Sequence, residues 1–400
     1  LSDLNWHFMN LTKPVYFDFA ATTPVDERVL AAMLPYFRED FGNPSSIHRY
    51  GQTAEAAVDD ARRILAQCLN CQSDEIVFTA NGTESDNLAL RGAAMAARLK
   101  RGANHILISP VEHHAISVTA RQLADAYGFE VEMLPVDSFG RVDPEKLASR
   151  LREDTAVVSV ISANNEIGTV NPIADLAAVC REKQIPFHTD AVQAAGYLSL
   201  NTATLPVNLM SIGAHKFYGP KGVGALYVRR GTALLPTQTG GKQENGLRAG
   251  TQNVPYLVGM AEALRLAQTE LPTRYEKVRI LRDRLVGRVL EEIPGTFLTG
   301  HPEQRLPNHA SFVFEGVDGN TLLMMLDGAG FACSSGSACK TGSPEPSDVL
   351  LALGLSPQLA LGSLRVTLGK DSTPDEVERF ADVLPDLVAK VRDLSGKRNG

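Results

Sequence analysis

The stretch that decides the reading is "NLMSIGAHKFYGPKGVG", residues 208–224: an apolar run, then His215, Lys216 and a tight Tyr-Gly-Pro-Lys-Gly turn. A lysine placed just past a buried strand loses water, which disfavours its ammonium form and frees the amine as a nucleophile. Upstream, "IPFHTDAVQ" (185–193) ends another apolar run on Asp190, with Gln193 one helical turn further on. A carboxylate there is costly to bury unless a cation faces it, and an arginine salt bridge is the plainest solution.

Outward from these two runs, short β-rich segments alternate with helical ones. "VYFDF", "EIVFT", "HILIS", "FEVEML" and "TAVVSVIS" come before them, and helical stretches such as "TAEAAVDDARRILAQCL" (53–69), "TESDNLALRGAAMAARLK" (83–100) and "IADLAAVCREKQ" (173–184) lie between. This rhythm predicts crossover units and a largely parallel sheet with helices on both faces. From 254 to 292 the pattern becomes long helix interrupted at Pro272, followed by "ASFVFEG", a cysteine-bearing stretch, "SLRVTLG" and a helix opened by Thr373-Pro374. The expectation is an α/β protein with a large domain over 26–272 and a smaller α/β domain from 1–25 and 273–400.

Composition narrows the function. A net charge of −7 argues against direct nucleic-acid binding, which needs a basic face. No run approaches the ~18–20 apolar residues of a membrane span, so no membrane role is expected. The opening "LSDLNWHFMNLTKP" lacks the pattern of a secretory signal, and Met9 is a candidate natural start. Five cysteines, an odd number in a chain of 400 residues, do not read as a disulfide framework, which favours a reducing cytoplasm.

In an open α/β sheet ligands bind beyond the carboxyl ends of the strands, and there the sequence turns polar. After "EIVFT" comes "ANGTESDNLAL", where Gly82 and Thr83 open a helix with free N–H groups and a hydroxyl suited to phosphate, and Thr83 and Asp86 have capping-box spacing. After "HILIS" comes "PVEHHAI", whose His113 or His114 can stack on a flat ring and move a proton. After "TAVVSVIS" comes "ANNEIGTV", which also reads as turn chemistry. Lys216, Asp190, a phosphate-type turn and a stacking imidazole together suit pyridoxal 5'-phosphate, which needs a Schiff-base lysine, an acid at its pyridinium nitrogen and a phosphate cradle.

With "FGNPSSIHRYG", "NGTESDNLA", "VEHHAI", "ANNEIGTV", "HTDAVQ", "GAHKFYGPKGVGALY", "GLRAGTQNV" and "CSSGSAC", the chain resembles the cysteine desulfurases of the class V aminotransferase superfamily, in the branch serving iron–sulfur assembly. The resemblance runs from "VYFDFAATTPV" to "SLRVTLG". It implies the PLP-dependent transferase fold of type I, with a mostly parallel seven-stranded sheet between helices. It implies a homodimer that converts L-cysteine to L-alanine and passes sulfur to an acceptor protein such as an iron–sulfur scaffold. By the same resemblance Lys216 is the Schiff-base lysine, Asp190 the pyridinium partner, Gln193 the donor to the ring's phenolic oxygen and His113 the stacked imidazole. Gly82, Thr83 and His215 are phosphate contacts, and Thr251 is one that reaches into the neighbouring subunit's site. Asn165 and Arg365 hold the substrate, and Cys339 is the persulfide-forming nucleophile. Relatives often carry serine where this chain has Gly213, and a third glycine and an arginine where it has Lys242 and Asn245.

Cys339 sits in "FACSSGSACKTGSPEP" (331–346), a plain Ser-Gly-Ala stretch closed by prolines, as suits a thiol that must travel between cofactor and acceptor. Cys333 reads as a packing residue, and Cys68 and Cys71 form a C-x-x-C with no second pair, so no metal site is expected. The competing readings are selenocysteine lyase or another class V activity, a docking platform for sulfur acceptors, and a cysteine-ligated metal protein.

Overall fold

The structure, a computed structural model, describes residues 14–336 and 345–398. Its strands are β1 (Val15–Tyr16), β2 (Ile76–Thr79), β3 (His105–Ile108), β4 (Glu130–Met133), β5 (Thr155–Ser159), β6 (Phe187–Asp190), β7 (Leu209–Gly213), β8 (Gly224–Val228), β9 (Thr296–Leu298), β10 (His309–Phe314), β11 (Phe331–Ala332) and β12 (Ser363–Thr367). Seven of them form one sheet in the order β2-β8-β7-β6-β5-β3-β4. Only β8 runs antiparallel to its neighbours. Strands β2, β3, β5, β6 and β7 are buried along their whole length, as a sheet covered on both faces requires.

The two faces bury different helices. One apolar cluster joins the sheet to Arg49–Leu69 and Val254–Thr269 through Leu65, Met260 and Leu264. The other joins it to Gly82–Arg101 and His114–Tyr127 through Leu90, Ala94, Ile116 and Leu123. The long helical stretch breaks at Glu270, with Pro272 in the first turn of Leu271–Glu292, where its missing N–H costs nothing.

A further apolar core lies around the three-stranded antiparallel sheet β12-β10-β9, packed against Leu271–Glu292 and Pro374–Arg398. Thr373 caps the last helix reciprocally with Glu376, as its sequence signature implies.

Two expectations are corrected. The "VYFDF" run is no part of the seven-stranded sheet: β1 pairs in parallel with β11, and Phe17 packs edge-on against Phe380 at 5.6 Å between ring centroids. Its place is taken by β8, which returns after the Tyr-Gly-Pro-Lys-Gly turn with only the short 3-10 helix Ala214–Lys216 between it and β7.

Candidate active site

The carboxyl ends of the parallel strands converge on a cavity of about 280 Å³. Gly82, Thr83, His113, Asn165, Asp190, Gln193, His215, Lys216 and Arg365 all line it. Gly82 and Thr83 follow β2, His113 follows β3, Asn165 follows β5, Asp190 ends β6 with Gln193 just beyond, His215 and Lys216 follow β7, and Arg365 enters from β12. Residues predicted from separate motifs therefore share one chamber.

Lys216 stands past the end of β7 and donates from Nζ to the carbonyls of Ala20 and Ala21, at 2.6 and 2.7 Å. Burial lowers its pKa to about 8, with the Arg365 charge adding to the effect and Asp190 and Asp18 opposing it. Asp190 ends β6 with 5% exposure, and its Oδ1 accepts the Val192 N–H at 2.9 Å. Burial pushes its carboxyl above the usual range, against the pull of His113 and Lys216. The arginine salt bridge expected for it is not formed: among the described residues no lysine or arginine pairs with this carboxylate.

Asn81, not Thr83, caps the helix Gly82–Arg101. Its Oδ1 accepts the Glu84 N–H at 2.8 Å, and Glu84 accepts from the Ala80 N–H at 2.7 Å. The cap is therefore Asn81, with Glu84 reaching one residue further back to Ala80, which corrects the Thr83–Asp86 spacing; Thr83 lines the cavity. Close approach decides the residue at 82, since a Cβ there would lie 2.6 Å from Val192 Cγ2. His215 is held through Nδ1 to Thr22 Oγ1 at 3.1 Å, and burial lowers its pKa to about 4. Gln193 donates from Nε2 to the Ala20 carbonyl at 2.9 Å.

His113 caps the helix His114–Tyr127 with its Nδ1 accepting the Ala115 N–H at 3.1 Å, so the ring is fixed beside Asp190. Burial lowers its pKa, His114 and Lys216 add to this, and Asp190 resists it. Arg365 donates to the Asn165 carbonyl and to Asp18 Oδ1, each at 2.9 Å, while its buried Nε–H has no partner. A guanidinium lining the cavity is suited to an incoming carboxylate.

Sequence reasoning missed three groups here. Asp86 is a buried carboxyl lining the cavity, its Oδ1 without a hydrogen bond and 3.6 Å from His188 Nε2; burial first and Asp190 second raise its pKa. The signal was a charge on the inward face of its helix, shared with Gly82, Ser85 and Ala89. Glu112 is likewise buried and raised, with Oε1 accepting the Ile161 N–H at 2.8 Å. Asp18 is the counter-ion of Arg365. The ligand atoms of Asp86, His113 and Asp190 lie within 4.8 Å of one another, the only cation-ready group of this kind among the described residues.

Two predicted residues are elsewhere. Thr251 is exposed and lines a separate cavity of about 240 Å³ beside Glu244 and Arg248. Cys339 lies outside the described residues. Cys333 packs against the core around β12-β10-β9, and burial raises its thiol pKa strongly. Cys68 and Cys71 are half-buried free thiols raised by burial to about 11 and 12.

The cavity fits pyridoxal phosphate on its own features. Asp190 has room for a cationic ring nitrogen and no cationic side chain paired to it. A helix N-terminus with Thr83 and His215 provides anion contacts, and the amine of Lys216 is partly neutral near pH 8.

The comparisons agree with this geometry. The family profile for aminotransferase class-V matches residues 15–380. The chain is 46% identical over 383 residues to the cysteine desulfurase IscS of Methanosarcina thermophila, covering 96% of this chain and 94% of that one. Among solved structures it resembles a NifS-like protein, with TM-score 0.88, 37% identity and coverage of 94% and 100% of the two chains. It also resembles SspA in complex with cysteine, with TM-score 0.78, 34% identity and coverage of 90% and 100%. This chain belongs to the class-V aminotransferase family and, within it, to the cysteine desulfurases.

Proposed function

We propose that this chain is a PLP-dependent L-cysteine desulfurase that releases L-alanine and carries the sulfur as a persulfide on Cys339 to an acceptor protein, in iron–sulfur cluster assembly or related sulfur trafficking. The observation that carries the reading is that one cavity is lined together by Lys216, whose pKa burial lowers to about 8, by Asp190, to which no described lysine or arginine is ion-paired, and by Arg365. Pyridoxal phosphate, when bound, supplies an electron sink at the substrate's Cα, which weakens the Cβ–S bond.

The protein's own groups do the rest. Gly82, Thr83 and His215 would hold the phosphate, Asp190 would keep the ring nitrogen protonated, and Gln193 would donate to the ring's phenolic oxygen. Arg365 and Asn165 orient the substrate carboxylate through charge-assisted hydrogen bonds. The Lys216 amine takes the Cα proton, and His113 moves the proton of the substrate thiol. The Cys339 thiolate attacks the substrate sulfur: an S–S bond forms, the C–S bond breaks, and Cβ gains a proton. The carbon is reduced while the two sulfurs are oxidised to a persulfide, so no outside oxidant is required.

The homodimer belongs to the same reading. Leu34, Phe37, Phe41, Ile47 and Tyr50 expose large apolar side chains close together in sequence, Ile47 to 93%. We infer that this surface is buried against a second copy, and by the family resemblance Thr251 serves that copy's site. We also place the protein in the cytoplasm, in keeping with free thiols at the described cysteines and with no described helix long and apolar enough to cross a membrane. We take 26–272 as the large domain and 1–25 with 273–400 as the small one; two main apolar cores follow this division, apart from Val278 and Leu306 in the larger core and a smaller cluster that joins Val111 and Ile161 to Val313 and Leu350.

The test is to supply L-cysteine to the PLP-loaded protein and assay alanine and protein-bound persulfide. Equal amounts of both in a single turnover support the reading, and absence of alanine refutes it. Mixing Lys216→Ala with Thr251→Ala subunits tests the shared site: cofactor affinity recovers in part if Thr251 serves its neighbour, and stays unchanged if it does not.

A further inference from the structure

Glu166 takes no part in the chemistry above, yet it stands where that chemistry meets the segment carrying Cys339. It follows Asn165 in a turn whose shape Asn164 fixes. Asn164 Oδ1 accepts the N–H groups of Glu166 and Ile167 at 2.8 and 2.9 Å, and its Nδ2 donates to the Val111 carbonyl at 2.8 Å. On its other side Glu166 Oε2 accepts the hydroxyl of Ser347, which also accepts the Leu350 N–H at 3.3 Å as the cap of Asp348–Ala352. A Cβ built on Gly336 would lie 2.9 Å from the same Oε2. One carboxylate oxygen thus abuts Gly336 and bonds Ser347, on the two flanks of the segment bearing Cys339.

We propose that Glu166 is a positioning residue for sulfur transfer, bonding the Ser347 flank of the Cys339 segment, and closely approaching its Gly336 flank, at the turn that places Asn165 against Arg365. The thiol's approach is thereby registered to the bound substrate. This inference rests on the reading of Cys339 as the sulfur carrier. Arg365 has its own counter-ion in Asp18, so Glu166 is not needed to neutralise it. Burial raises the Glu166 pKa to about 7, with Asp348 adding and Ser347 and Arg365 opposing, which suits a hydrogen-bonding anchor better than a fixed ion pair.

The test compares Glu166→Ala and Glu166→Gln in the PLP-loaded full chain. Misplacing a reacting group by about 1 Å costs up to ~100-fold. Alanine should therefore lower kcat and single-turnover persulfide formation by about ten- to a hundredfold, leaving KM for L-cysteine and PLP affinity within about twofold. Glutamine still accepts the Ser347 bond and should recover most of the rate. Hydrogen–deuterium exchange at amides 331–336 and 347–352 should rise in the alanine variant and not in the glutamine variant. Unchanged exchange, a kcat near wild type, or equal losses in kcat, KM and cofactor affinity would overturn the proposal. If wild type makes no alanine from L-cysteine, the functional reading falls, while the exchange result still decides whether Glu166 positions the flanks.

Discussion

Replacing Gly213 by serine should tighten cofactor binding. Residue 213 has φ −136° and ψ 123°, extended backbone open to any side chain. A Cβ there would meet Gly82 N at 3.4 Å and Val192 Cγ1 at 3.5 Å, ordinary contacts that push nothing aside. A serine hydroxyl would therefore enter the cradle at the start of Gly82–Arg101, next to a backbone N–H suited to phosphate. One added hydrogen bond contributes about 1–2 kcal/mol, or about 5- to 30-fold in affinity. The assay is titration of the apoprotein with pyridoxal phosphate and, separately, with pyridoxal, across wild type, Gly213→Ser and Gly213→Ala. The gain should appear only for the serine variant and only with the phosphorylated ligand. An equal gain in Gly213→Ala, or with pyridoxal, would trace it to the backbone. No gain at all would mean that the phosphate does not sit against Gly82.

Lys216 should capture pyridoxal phosphate at a rate that climbs with pH through about 8 and then levels, because only the neutral amine attacks and burial has lowered its pKa to about 8; a climb continuing toward pH 10 in stopped-flow absorbance would contradict the assigned burial. Cys339→Ser should retain the cofactor's absorbance and lose persulfide, whereas Cys333→Ser, whose thiol is pushed up by burial and Asp18, should keep both. Arg365→Lys should raise KM for L-cysteine by about tenfold or more, from the ~1.5–3 kcal/mol of a hydrogen bond to a charged group. An unchanged KM in initial-rate assays would remove Arg365 from the substrate's carboxylate.

What the sequence made legible was whatever a strand end reveals locally. Asp190, Lys216, His113 and Thr83 each follow an apolar run, so burial and position could be read within a few residues. The misreadings came from frame and distance. Capping-box spacing fits Thr83–Asp86 and Asn81–Glu84 alike, and only the backbone decides between them. Strand β8 was passed over because the alternation of strands and helices implies a crossover, while a tight turn returns the chain antiparallel. The partner of Glu166 lies 181 residues away and that of Asp18 lies 347 residues away, separations across which no local pattern carries information.

The cavity also dictates the order of charges along its ligand. At one end are the N–H groups of a 20-residue helix, with Thr83 and His215, an arrangement that favours negative charge and leaves no side-chain carboxylate among these three contacts. At the other, burial pushes Asp190 and Asp86 toward their neutral forms, a state that a neighbouring cation would reverse. Lys216 is driven the opposite way, toward the neutral amine, by the same desolvation. A ligand with an anion at the helix and a cation at Asp190 relieves these costs together, whereas the reverse orientation sets like against like at Asp190 and again at the helix N-terminus. On the proposed reading, the protein's electrostatics would therefore orient the ligand before any covalent bond to Lys216 forms, leaving the amine for an electrophilic carbon between its charged ends.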